Sequence, residues 1–255
     1  MWNSFTTDAN NGISSEVITY QGGNGDQIHA YVAQPVTEGP RPGIVAVHHM
    51  PGWDEFYREF SDRLARHGYT VICPDLYCRY GHGAPDDITA KVRAEGGVPD
   101  ATVVADLAAA REWLLAQPDS NGKVGIIGTC SGGRHALLTA SLTPGFNAVA
   151  DLWGGGVIMS DEELSPARPV SPLDYTADLN TPLLGIFGND DKYPTPELVN
   201  QHEAELKKHG KDYEFHRYDG ASHGFFYYQA PVYRPEQAMD AWEKVFAFFA
   251  DRLST

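Results

Sequence analysis

The sequence predicts an α/β fold: a mainly parallel, twisted sheet with helices on both faces and no large cap domain. Three observations predict it. Short apolar runs alternate with segments of helical spacing along most of the chain. The inner runs are continuously apolar, as strands covered on both faces must be. The 255 residues contain no repeat, low-complexity block or Pro/Gly/Ser-rich seam, so 1–255 reads as one domain.

The elements follow in order. Glu16 to Tyr20 and Gln27 to Val32 are β-rich runs around Gly22-Gly23-Asn24-Gly25, a hairpin signal. Gly43 to His48 is a short apolar strand behind Pro42. Asp54 to His67 carries Phe56, Phe60 and Leu64 at helical spacing and stops at Gly68. Tyr69 to Cys73 is a strand closed by Pro74. Residues 77–98 read as a long loop with at most one short helix, a length often tied to function. Pro99 to Gln117 is helical, with Pro99 suited to a first turn and Pro118 to a stop. Then come a strand at Val124 to Gly128, a helix at Cys130 to Leu142 and a strand at Asn147 to Trp153. A second long connection, 154–181, leads to a strand at Leu183 to Phe187. The chain closes with a helix at Pro196 to His209, a strand at Tyr213 to Tyr218 and a helix at Pro235 to Leu253.

Composition narrows the partners. The formal charge of −15 repels phosphate backbones and anionic lipid, so neither nucleic acid nor membrane is expected. Any anionic substrate would need its own local cation. Three cysteines without a CxxC pair argue against a disulfide framework or structural zinc. Met1 to Thr6 lacks a basic region followed by an apolar run, and no apolar stretch approaches the roughly 18 residues of a membrane span. A cytoplasmic location is expected.

In open parallel sheets, ligands sit beyond the carboxyl ends of the strands. There lies Gly128-Thr129-Cys130-Ser131-Gly132, a G-x-C-x-G turn between a strand and a helix. It is the nucleophile elbow of α/β-hydrolases with Cys in place of Ser. The turn is tight, so residues two away from the nucleophile must be small, and the helix N-terminus favours a thiolate. Ser131 is not in register, because Thr129 stands where its first glycine should be. The fold's order of nucleophile, acid, histidine then selects partners. Asp190 and Asp191 compete for the acid just past a strand, and His223 stands in a small-residue loop before the last helix. Oxyanion donors are expected at the N–H groups of Ser131 and Met50.

At these residues the chain resembles the dienelactone hydrolase family. The Gly128 to Gly133 elbow, Cys73-Pro-Asp-Leu-Tyr77-Cys-Arg79, and the segments around Asp190 and His223 carry the resemblance, which runs from about Gly43 to the C-terminus. It implies a Cys130-Asp190-His223 triad, choosing Asp190 over Asp191, with Met50 and Ser131 as oxyanion donors. It also implies that Arg79 binds a substrate carboxylate. Two positions depart from members that open dienelactone. His49 stands in place of a glutamate that helps to ionise the cysteine, and Tyr227 in place of a second carboxylate-binding arginine. Both join the candidate substrate contacts, and the aromatic cluster at Phe225 to Tyr228 suggests a more apolar or aromatic acyl or lactone group. His49 either contacts substrate, tunes Cys130 or is simply packed.

The expected activity is hydrolysis of a small ester or lactone through a thioester, with no metal or organic cofactor, by a monomer or small homo-oligomer. His48 and His49 adjoin at a strand end and point apart, which disfavours a metal site with Asp75. Alternatives are a non-catalytic binding or thiol-sensing module, or thioesterase, acyltransferase or C–C hydrolase chemistry on the same fold.

Overall fold

The structure is a computed structural model that describes residues 12–254. Met1 to Thr6, on which the expectation of no leader rests, lies outside them. Eight strands form one sheet in the order β1-β2-β4-β3-β5-β6-β7-β8. They are β1 (Ile13–Gln21), β2 (Gln27–Pro35), β3 (Arg41–Val47), β4 (Thr70–Pro74), β5 (Ser120–Thr129), β6 (Ala148–Leu152), β7 (Leu183–Gly188) and β8 (Tyr213–Tyr218). β2 runs antiparallel to both β1 and β4, and every later pairing is parallel. The continuously apolar strands are the central ones: every residue of β4, β6 and β7 is buried. Edge strands β1 and β8 are largely open to solvent on one side.

Six helices cover the sheet: α1 (Glu55–Arg66), α2 (Pro85–Ala94), α3 (Asp100–Leu115), α4 (Ser131–Leu142), α5 (Pro196–Lys208) and α6 (Pro235–Leu253). Tyr57, Phe60 and Leu64 of α1 share one core layer with Trp242 and Phe249 of α6. Val103 and Leu107 of α3, Leu137 of α4 and Leu206 of α5 build the layer on the opposite face. Local chemistry explains the boundaries. Asp54 caps α1 by accepting from the Tyr57 N–H at 3.2 Å, and Thr195 caps α5 through the Leu198 N–H. Proline opens α2, α5 and α6, where its missing N–H costs nothing. The loop expected at 77–98 contains α2 and a 3-10 turn at Cys78–Tyr80, and the 154–181 connection contains a 3-10 segment at Pro172–Asp178. Among the described residues, no helix is long and apolar enough to cross a membrane.

The closest approach in the fold lies where β5 turns into α4. A Cβ on Gly128 would strike the backbone of Gly132, and one on Gly132 would strike the Val47 carbonyl at the end of β3. Cys130, between them, has φ 53°, a left-handed value that costs a non-glycine residue about 1–3 kcal/mol. Gly132→Ala should therefore destabilise the protein by about 3 kcal/mol in urea unfolding, at the upper end of overpacking costs.

Candidate active site

Four loops meet beyond the carboxyl ends of the strands. The turn after β5 carries Cys130, and the loop after β3 carries His48, His49 and Met50. The loop after β7 carries Asp190 and Asp191, and the loop after β8 carries His223. They frame a cleft of about 550 Å³ whose wall includes Cys130, Ser131, Met50, Asp191 and His223. Leu76, Tyr77, Val98 and Val103 give it an apolar side.

Cys130 is hydrogen-bonded to His223, whose Nδ1 lies 2.9 Å from Asp191 Oδ2. Nε2 of His223 is therefore the nitrogen that faces the sulfur. This corrects the expectation of Asp190. Asp190 is exposed, with its N–H held by the Ala221 carbonyl. Asp191 is buried, and its second oxygen accepts from the Tyr193 N–H at 2.9 Å. A carboxylate fixed on both oxygens sets the imidazole's tautomer and orientation.

The electrostatics favour an ion pair. Burial alone would raise the Cys130 pKa. The hydrogen bond and charge of His223, with the N–H groups of Ser131 and Met50, outweigh burial and bring it below the usual thiol value. Burial alone would likewise lower His223, yet Asp191 and Cys130 lift it to about 10. The two shifts run in opposite directions, and both favour the charged thiolate–imidazolium pair over the neutral one. The Ser131 and Met50 N–H groups converge on the sulfur from an elbow and a separate loop, an arrangement that can also receive a developing oxyanion.

Three expected substrate contacts lie elsewhere. Arg79 is not on the cleft wall. It clasps the fully buried Asp106 at 2.7 and 3.0 Å and reaches Asp26 at 2.7 Å. A buried carboxylate demands a partner, and Arg79 spends its fork there. His49 and Tyr227 also stand behind the cleft rather than on it. His49 Nε2 is 2.7 Å from Asp54 Oδ2, and Nδ1 is 2.7 Å from the Tyr227 hydroxyl. Sequence reasoning missed this use because the partners Asp54 and Thr129 fall inside a helix cap and a strand. The cations that do line the cleft are Arg93, Arg134, Arg168 and Lys192. Arg134 is bound through both terminal nitrogens by Asp100, at 2.6 and 2.7 Å. Arg168 forms no salt bridge among the described residues, and its buried Nε has no hydrogen-bond partner.

Comparison with known proteins bears on the family and the fold. The dienelactone hydrolase family matches residues 28–253. A "Putative carboxymethylenebutenolidase" of Methylorubrum extorquens is 34% identical over 95% of this chain and 82% of its own length. One from Synechocystis sp. is 32% identical over 89% of this chain and 93% of its own length. The crystal structure of a "Putative Dienelactone Hydrolase" from Klebsiella pneumoniae superposes with a TM-score of 0.86 at 30% identity, covering 94% of this chain and 99% of that one.

Two measurements separate these assignments. Alkylation of Cys130 by iodoacetamide should report a thiolate that persists below the ordinary thiol range and disappears as pH falls through its depressed pKa. Asp191→Asn should move that midpoint upward by about one unit, because it weakens the imidazolium, and Asp190→Asn should leave it in place. Arg79→Met should lower unfolding free energy by about 3 kcal/mol, as expected when a buried carboxylate loses its partner, while leaving kcat/KM within about threefold of wild type.

Proposed function

The chain belongs to the dienelactone hydrolase family and is a lactone or ester hydrolase with the α/β-hydrolase fold, and from that premise we propose that it works through a Cys130-His223-Asp191 triad and a thioester. The observation that carries this reading is the Cys130 sulfur itself, met by His223 on one side and by the N–H groups of Ser131 and Met50 on the other.

The thiolate attacks the carbonyl carbon, and the carbonyl π electrons move to oxygen. The Ser131 and Met50 N–H groups hold that oxyanion. Collapse of the tetrahedral species breaks the ester C–O bond, and His223 Nε2–H protonates the departing alkoxide, leaving a thioester. Water then attacks the thioester carbonyl and gives a proton to His223. The second tetrahedral species expels the thiolate, and the imidazolium–thiolate pair is restored. Asp191 stabilises the imidazolium through its hydrogen bond to Nδ1. In a lactone the leaving oxygen, now a hydroxyl, stays on the acyl chain, and hydrolysis of the thioester releases a single hydroxy acid.

The substrate reading follows from the wall. The cleft offers apolar surface at Leu76, Val98 and Val103 and the guanidinium of Arg168, which forms no salt bridge among the described residues and whose Nε has no hydrogen-bond partner. On a protein of charge −15, that local cation would receive a substrate carboxylate, the role Arg79 is not free to take. A small ester or lactone bearing a carboxylate near an unsaturated or aromatic group fits this pairing.

Turnover of p-nitrophenyl acetate by the wild type should fall by at least about 1,000-fold in Cys130→Ala, the scale of losing a nucleophile. Unchanged turnover in that variant would sink the proposed mechanism. Arg168→Gln should lower kcat/KM on a carboxylate-bearing lactone about tenfold more than on the neutral ester, the scale of one charge-assisted hydrogen bond.

A further inference from the structure

The oxyanion donor on the Met50 side belongs to a loop, not to a helix, so its direction has to be held by something else. The peptide between His49 and Met50 is planar and trans, so its carbonyl and its N–H point opposite ways. Whatever fixes the His49 carbonyl therefore aims the Met50 N–H. Two donors fix it. The Gly52 N–H donates to the His49 oxygen at 3.0 Å, and the His48 ring stands 2.8 Å from the same oxygen through Nδ1.

The tautomer of His48 follows from its other nitrogen. The Leu76 N–H donates to His48 Nε2 at 3.1 Å, so Nε2 is the acceptor and Nδ1 carries the proton. Burial drives the His48 pKa down to about 4, so the ring is neutral at neutral pH. Tyr77 packs edge-on to it at 4.7 Å between ring centroids and blocks ring rotation. The Met50 carbonyl, on the next peptide, is held by the Tyr77 hydroxyl and by Thr89 Oγ1, each at 3.2 Å.

His49 secures the loop from behind. Asp54 Oδ2 lies 2.7 Å from its Nε2, and the Tyr227 hydroxyl 2.7 Å from its Nδ1. The Tyr227 hydroxyl is also hydrogen-bonded to Thr129 Oγ1 at 3.2 Å. Thr129 Oγ1 is hydrogen-bonded to the Tyr57 hydroxyl, whose oxygen accepts the Thr129 N–H, both at 3.0 Å. One chain of hydrogen bonds thus joins the loop after β3, the His223 loop and the residue before Cys130.

We propose that His48 and His49 are paired positioning residues that hold the His49–Met50 peptide with its N–H turned to the oxyanion: His48 through the peptide's carbonyl, His49 through Asp54 and Tyr227. This rests on the Cys130 hydrolase reading and adds to it a reason for two adjacent histidines. His223 and the Ser131 N–H still favour the thiolate when the Met50 N–H is turned away. The larger effect therefore falls on the step that makes an oxyanion, and only a small one on the reactivity of the sulfur towards an alkylating agent, which makes none.

That separation defines the experiment. Steady-state hydrolysis of p-nitrophenyl acetate and iodoacetamide alkylation of Cys130 are measured on the wild type, Cys130→Ala, His48→Leu, His48→Asn and Tyr227→Phe. His48→Leu should lower kcat about 100-fold, the scale of losing one oxyanion donor, with KM and alkylation rate within about threefold of wild type. His48→Asn, whose amide nitrogen can replace Nδ1–H, should recover kcat to within about tenfold of wild type. Tyr227→Phe, which removes one hydroxyl and keeps the ring, should lower kcat about tenfold with alkylation again unchanged. Should His48→Leu fail to fold, His48→Asn and Tyr227→Phe carry the same demands. The proposal is overturned if kcat in the leucine variant stays within threefold of wild type. It is also overturned if the asparagine variant is no better than the leucine one, or if alkylation falls together with kcat. A wild type whose turnover does not depend on Cys130 overturns the underlying reading and this one with it. Cys130-dependent turnover that is indifferent to His48 and Tyr227 overturns only this one.

Discussion

Everything at the site depends on the contact between the end of β3, the end of β5 and the start of α4. Gly128, Gly132 and the Val47 carbonyl approach so closely there that no side chain fits between them. This contact lets β5 turn into α4 with Cys130 held at positive φ, its sulfur raised above the sheet and beside the first N–H groups of the helix. The same contact brings the β3 loop against the elbow, because Val47 is followed directly by His48, His49 and Met50. The convergence of one N–H donor from each segment on the sulfur is thus a consequence of backbone packing. The strained turn is stabilised by the buried strands around it, a cost that sequence alone signals through its glycines.

Charge is then placed with economy. A thiolate buried in a cleft needs a cation near it, and His223 serves because Asp191, itself buried, keeps the imidazole protonated. In the proposed mechanism, replacing the sulfur's negative charge by a neutral thioester would remove one of the two supports for that proton. The ring would then become a better acid towards the leaving alkoxide and, once deprotonated, a base for water. Arg79 and Asp106 form a separate balance, away from the cleft, between the turn after β4 and α3.

Much of this was legible in the chain. Continuous apolar runs gave the central strands, and the glycine spacing gave the elbow in the right register. What periodicity cannot give is which of two neighbours points inward. Asp190 and Asp191 differ by one residue after β7, and the choice is made by a turn in which the Asp190 N–H reaches Ala221 and the Asp191 N–H reaches back to Gly188. The family resemblance favoured the wrong one. Arg79 was misread for a related reason: an arginine beside a site looks like a ligand contact until its buried partner is seen, and Asp106 sits mid-helix with nothing local to mark it. The 77–98 stretch allowed one short helix but not its bounds, because the apolar residues of α2 are sparse, with only Thr89 and Val92 buried among ten.

His49 and Tyr227 show how a departure from a family pattern can be physically coherent. A glutamate at 49 and an arginine near 227 would put two further ionisable groups beside the cysteine. The pair found here is an imidazole and a phenol whose pKa is held up to begin with by burial, and further by the nearby sulfur. Asp54 stands on the far side of His49, whose hydrogen bond holds its carboxyl below the usual range despite partial burial. A tie of this kind joins the loops without setting a carboxylate directly against the sulfur. In the proposed mechanism the thiolate is then stabilised by His223 and by the two backbone N–H groups, and the first step of ester cleavage uses the same groups.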